Sequence, residues 1–171
     1  IVSTAIKDLR NIKLPYTQRA AACMIVLMAE TGMRIGEFKI LEINQLDDIS
    51  MPGETNTFHY LKFKTYKTVK EKDFQWTRSF ITENALLAYN TLTKLYDGKR
   101  NSPYLFVNNK GTEVSKTLLR HRLVEFFYRH RDELQLDKIN DIEDSQFKVT
   151  RKRNFKSLGF VPDTEMDKDI Y

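Results

Sequence analysis

The sequence predicts a mainly α-helical domain carrying a small antiparallel β-sheet. Three observations carry this. Apolar residues Ala20, Cys23, Met24, Leu27 and Met28 recur at helical spacing between Tyr16 and Glu30. Two β-forming runs, Phe58 to Lys64 and Phe74 to Ile81, flank a charged turn at Thr68 to Lys72. Alternating strand–helix–strand units, which build doubly wound nucleotide-binding sheets, are absent.

In chain order, Tyr16 to Glu30 is the first helix. Its apolar run, around Ala20 to Ala29, is too short to span a bilayer and reads as a buried helix. Gly32 stands where a helix C-cap belongs, and Ile35 to Leu41 restarts as a short second helix. Met33 and Arg34 then occupy the apex of a sharp helix–turn–helix corner. Ser50 to Asn56, with Pro52 and Gly53, is a loop. The hairpin follows, and Thr82 to Leu95 is a helix. Leu105 to Val107 is a short strand before the turn Asn108-Asn109-Lys110-Gly111. Ser115 caps a helix with Leu119, Leu123, Phe126 and Phe127 on one face and arginines on the other. Asp137 to Ser145 is acidic and turn-like.

The 171 residues, 41% of them hydrophobic, suit one domain with a single core. The start at Ile1-Val2-Ser3 lacks an initiator Met, so a longer parent protein is expected. Lone Cys23 excludes a disulfide framework and a cysteine-based zinc site. His121 and His130 fit no ligand spacing and read as surface helix residues. Phosphate loops, nucleophile elbows and paired carboxylates are also missing. The net charge is +5, and its distribution says more than its size. Lys62, Lys64, Lys67, Lys70 and Lys72 crowd one stretch. Arg120, Arg122, Arg129 and Arg131 crowd a second, and Arg151, Lys152, Arg153 and Lys156 a third. Such clusters neutralise phosphates, so nucleic acid is the first partner to consider, with solvated surface as the alternative.

The most informative stretch runs from Glu30 to Phe38. A buried helix delivers Arg34 to a tight turn, and Glu37 follows three residues later. A guanidinium there can grip a phosphate with its fork while the glutamate braces it. The alternative is an ion pair that merely pins the corner. Thr31-Gly32-Met33-Arg34-Ile35-Gly36-Glu37 resembles the first conserved box of the tyrosine recombinases, the phage-integrase family. Leu41 to Ile49 is similar to that box's continuation into a strand. The resemblance implies the family's catalytic-domain fold, Arg34 as a catalytic arginine on the scissile phosphate, and Glu37 as its support. Lys62-Phe63-Lys64-Thr65-Tyr66-Lys67-Thr68 resembles the hairpin whose lysine protonates the leaving 5′-oxygen. Lys64 is the first choice for that catalytic role and Lys67 the second, and the other lysines contact DNA.

The second box, His-x-x-Arg, is not present as written. Val149 to Phe155 comes nearest, with Thr150 in the histidine's place and Arg153 in the arginine's. Leu158-Gly159-Phe160 resembles the Leu-Gly-His box, with Phe160 replacing His. Tyr171 then falls about one residue late for the nucleophile. Too few residues separate Arg153 from Leu158 for the helix and turn the family has there. Absent residues between about 146 and 158, a deletion in an inactive relative, and chance resemblance are the three explanations.

On this resemblance residues 1–171 form one catalytic domain, and an N-terminal core-binding domain lies outside them. The reaction cuts and rejoins duplex DNA through a 3′-phosphotyrosyl bond, for integration or excision of a mobile element. Arg34, Lys64, Arg153 and Tyr171 are catalytic, and Lys62, Lys67, Arg122 and Arg151 bind DNA. No cofactor, metal, membrane or small-molecule substrate is implied, while a tetramer on DNA is. The implied setting is the interior of a bacterial or phage-infected cell, beside the nucleoid. Two rivals are an inactive DNA-binding relative and a basic helical adaptor for acidic protein partners.

Overall fold

The computed structural model describes residues 1–50, 57–65 and 74–136. Lys67, the turn at Thr68 to Lys72, Asp137 to Ser145, and all of Thr150, Arg151, Arg153, Leu158 to Phe160 and Tyr171 lie outside the described residues. By contacts the chain groups into two compact units, Ile1–Leu119 and Arg120–Tyr171. Each is described by itself.

The first unit is built around a buried helix. Helices α1 (Val2–Arg10) and α2 (Tyr16–Thr31) precede a short α3 (Ile35–Lys39). Strands β1 (Leu46–Ser50), β2 (Thr57–Thr65) and β3 (Gln75–Ile81) follow, then α4 (Glu83–Leu95). In α2 every residue from Ala20 to Leu27 is buried. Its three consecutive alanines keep the helix slim, and α1 and α4 pack against it. Burial pushes the Cys23 thiol up to about 12, so it has no thiolate to offer near neutral pH. Glu30, near the end of α2, receives the Thr82 hydroxyl and, at 3.1 Å, the Thr82 N–H. Thr82 Oγ1 in turn accepts from Asn84 N–H at 3.2 Å and caps α4.

Helix α1 was not anticipated from the sequence. Its buried face consists of Thr4, Ala5, Asp8 and Leu9, so polar side chains conceal the helical stripe. Leu105 to Val107 differs from the expected strand. Only isolated bridges form, Glu42 to Tyr104 and Val107 to Glu113. The reason is local: the Arg100 guanidinium donates to the carbonyls of Tyr104 and, at 3.0 Å, Leu105, taking the acceptors a ladder would use. Burial lowers the Arg100 pKa from its ordinary value.

The sheet is antiparallel throughout, in the order β1-β2-β3. Leu61 and Phe63 of β2 are buried, whereas Tyr60, Lys62 and Lys64 alternate with them on the other face. β1 joins the core through Tyr89, whose hydroxyl donates to the Ile43 carbonyl just before it. Burial raises that hydroxyl to about 12.

Helix α5 (Lys116–Arg129) begins in the first unit and continues into the second. Ser115 Oγ accepts from Leu118 N–H at 3.0 Å, so the cap read from sequence forms. Leu119 is buried in the first unit, as is Phe126 in the second. His130, expected at the surface, has only 15% of its side chain exposed and sits 4.7 Å from the Phe126 ring. Its Nδ1 meets Glu133 at 3.1 Å, a pairing that its position just past the helix end allows.

Gly111 closes the turn before α5 with φ +76°, and a Cβ there would lie 1.6 Å from the Lys99 carbonyl oxygen. Gly111→Ala is therefore expected to cost about 3 kcal/mol or more, a clash added to left-handed backbone strain. Urea denaturation of the two proteins measures it.

Candidate functional site

The site is assembled from the end of α2 outward. Thr31 donates its hydroxyl to the Leu27 carbonyl at 2.7 Å and accepts the Met33 N–H at 3.3 Å. Gly32 takes the left-handed conformation, φ 67°, that ends the helix. Met33 is buried and anchors the apex. Arg34 follows in extended backbone as the N-cap of α3, with Glu37 at the third helical position.

Glu37 is the centre of the arrangement. Its side chain is 7% exposed, against 49% for Arg34. One oxygen, Oε2, accepts the main-chain N–H of Arg34 at 2.8 Å. The other, Oε1, accepts the Thr65 hydroxyl at 2.6 Å, from the end of β2. The Arg34 guanidinium approaches Oε1 only to 3.7 Å, an ion pair rather than a hydrogen bond. A buried carboxylate thus ties two chain segments together and holds a half-exposed cation above them.

Two residues missed in the sequence belong here. Thr65 is one. Lys116 is the other: a Cβ on Gly36 would come within 3.3 Å of its Nζ. Gly36 leaves room for that ammonium beside the start of α3. The small residue two positions after Arg34 was the available signal, though sequence alone does not say what fills the space.

The hairpin lysines lie elsewhere. Thr65 faces Glu37, so alternation turns Lys64 to the opposite face of β2, together with Lys62. Lys64 Nζ is 3.8 Å from Glu42 and sits over the rings of Phe74 and Trp76, at 4.8 and 5.3 Å. Lys64, first choice for proton donor, therefore does not share the face on which Arg34 and Glu37 meet the strand. Arg122, in the second unit, is ion-paired with Glu125 at 2.9 Å. Lys67, Arg151, Arg153 and Tyr171 lie outside the described residues. Among the described residues, no group of His, Cys, Asp and Glu side chains is placed to hold a metal ion. None of their helices is long and apolar enough to cross a membrane.

Thr65→Val would leave Glu37 Oε1 without its hydroxyl donor. The expected loss is about 1–3 kcal/mol of stability, with Thr65→Ser close to the parent. Chemical denaturation of all three proteins provides the check.

No protein family matches the sequence, and neither does any curated protein. Among solved structures, the chain is similar to XerH site-specific recombinase bound to a palindromic difH substrate in a post-cleavage complex. That likeness has 17% identity and a TM-score of 0.42 over 79% of this chain. It is also similar to XerH bound to difH in a pre-cleavage complex, with 18% identity and a TM-score of 0.41 over 79% of this chain. The matches cover 42% and 43% of those recombinase chains, so this chain spans less than half their length.

Proposed function

We propose that this chain is the catalytic part of a tyrosine recombinase, which cuts and rejoins duplex DNA through a 3′-phosphotyrosyl intermediate. One observation carries the reading: the corner does not need the Arg34 side chain. Glu37 caps α3 through the main-chain N–H of residue 34, which nearly any residue would supply. Its other oxygen is taken by Thr65. The guanidinium is half exposed and 3.7 Å from the carboxylate, beyond hydrogen-bond distance, so its donors are not consumed by Glu37. That suits a group waiting for a phosphate.

In this mechanism Tyr171 gives up its phenolic proton to solvent and attacks the phosphorus, a P–O bond to its phenolic oxygen forms, and the bond to the 5′-oxygen breaks. Arg34, with Arg153, stabilises the charge that builds on the non-bridging oxygens. A hairpin lysine gives the departing 5′-oxygen its proton. Because Lys64 lies on the outward face, the reading favours Lys67 for that step and leaves Lys62 and Lys64 as contacts to DNA. A 5′-hydroxyl then reverses the reaction, so the energy of the phosphodiester is kept in the phosphotyrosine. Arg122 and Arg151 add phosphate contacts, self-association on DNA completes the reactive assembly, and integration or excision of a mobile element is the overall outcome.

The test uses nicked duplexes from a randomised pool, which trap the covalent adduct for a denaturing gel. Arg34→Ala should lower adduct formation about 100-fold or more, while changing stability by no more than about 1 kcal/mol. Tyr171→Phe should give no adduct at all. If Arg34→Ala unfolds the protein and leaves duplex binding in the folded fraction unaltered, Arg34 is a structural pin and the reading fails. Duplex binding without any adduct from the parent protein would favour the inactive relative.

The lysines separate by leaving-group chemistry. A 5′-bridging sulfur needs no proton to depart, so a variant lacking the general acid is rescued by it. Rescue is expected for Lys67→Ala and absent for Lys64→Ala, as read from cleavage rates on the two substrates.

A further inference from the structure

Alternation in β2 and β3 turns seven side chains away from the core, Phe58 and the six that face one another across the two strands: Tyr60, Lys62, Lys64, Trp76, Arg78 and Phe80. The register sets Tyr60 beside Phe80, Lys62 beside Arg78, and Lys64 beside Trp76. Along the strands this reads as two rings, two cations, then a ring with a cation. Same-face positions repeat about every 6.8 Å, so the Tyr60–Phe80 rings and the Trp76 ring lie ~14 Å apart along the strands with positive charge between them.

The rings are open to solvent, Trp76 at 46% and Phe80 at 68% exposure. Large aromatics gathered on an exposed sheet face are unusual in a chain that only has to fold. The cations sit against the rings, with Lys62 Nζ 4.7 Å from the Trp76 centroid and the Arg78 guanidinium 5.6 Å from that of Tyr60. A ligand that suits this face is extended and carries flat apolar groups at intervals, with negative charge between them. Unpaired nucleotides have that chemistry. A duplex does not, because its base faces are already stacked on one another. Glu42 and Asp47 share a shallow depression with Lys62 and Trp76, so negative charge on the β1 side disfavours an anionic ligand there and leaves the β3 side as its track.

We propose that the outward face of β2 and β3 binds single-stranded nucleic acid, stacking bases on Trp76 and Phe80 and placing a phosphate between Lys62 and Arg78. The proposal does not depend on strand cleavage or on Arg34, and it gives Lys62 and Lys64 to an unpaired strand in place of a duplex.

Trp76 is the chain's single tryptophan, so its fluorescence reports on this face directly. The full chain is titrated with an oligothymidylate of about ten nucleotides, and separately with a duplex of equal length. The single strand should quench Trp76 to saturation, and the duplex should quench it weakly. Phe80→Ala, at an exposed position, should keep its circular dichroism spectrum and bind the single strand about fivefold or more weakly. Joint Lys62→Gln and Arg78→Gln changes should flatten the salt dependence. Equal quenching by the duplex overturns the proposal, as does single-strand binding that leaves Trp76 undisturbed or persists in Phe80→Ala. Self-association of the parent that Phe80→Ala abolishes would make this an interface between copies, and would overturn it too.

Discussion

A carboxylate taken out of water must recover its lost hydration from fixed donors, and Glu37 meets that requirement with groups from separate parts of the chain. One donor is the main chain at the start of its own helix, and the other is a hydroxyl at the end of a strand distant in sequence. Neither works unless α2 stops where it does. A continued helix at Gly32 would carry residue 34 onward in α-conformation, and its N–H would point back along the helix rather than at Glu37. The left-handed glycine, the buried Met33 and the five-residue α3 together bring the Arg34 N–H to that carboxylate. Strand β2 is drawn into the same requirement, which fixes its end against the corner.

Fixing that strand end also decides what each side of the sheet can do. Successive residues in a strand face opposite ways, so placing Thr65 on Glu37 commits Lys64 and Lys62 to the outside. The inward set, Leu61 and Phe63, completes the core. The outward set gathers cations over aromatic rings, a stable arrangement in water because ring faces attract ammonium and guanidinium groups. A single-residue slip in register would exchange these roles entirely. The β1 pairing guards against it, since Leu46 lies opposite the buried Leu61.

Much of this was legible in the sequence. Helix α2 announced itself by periodicity, its end by Gly32, the hairpin by two β-forming runs, and α5 by Ser115. These are local signals, each written within a few residues. Pairing of Arg34 with Glu37 was legible for the same reason, being three positions apart. Thr65 and Lys116 were not, because their significance lies in contacts with Glu37 and Gly36 across the fold. The lysine-rich hairpin was ambiguous in a particular way. With five lysines close together, composition could not assign a face, and Lys64 was chosen without knowing which side of β2 meets Glu37. Helix α1 escaped because Thr4 and Asp8 occupy its buried stripe, and the 105–107 strand was overcalled because Arg100 takes its carbonyls.

The ion pairs set Arg34 apart from Lys39 and Lys64. Lys39 is in direct contact with Glu113, and Lys64 is paired with Glu42 and covered by rings. Both are partnered by acids that no stronger donor has claimed. Glu37 differs, since its oxygens are engaged at 2.8 and 2.6 Å by groups other than the guanidinium. Coulomb attraction at 3.7 Å still holds the Arg34 head near the corner, but at half exposure it contributes little to stability. With Lys116 brought close by Gly36, positive charge accumulates at the start of α3 beyond what its acid neutralises. Such an excess raises the free energy of the isolated protein slightly and lowers that of any complex in which a phosphate occupies the corner. That local excess of positive charge is what distinguishes this corner from the neutralised pairs at Lys39 and Lys64.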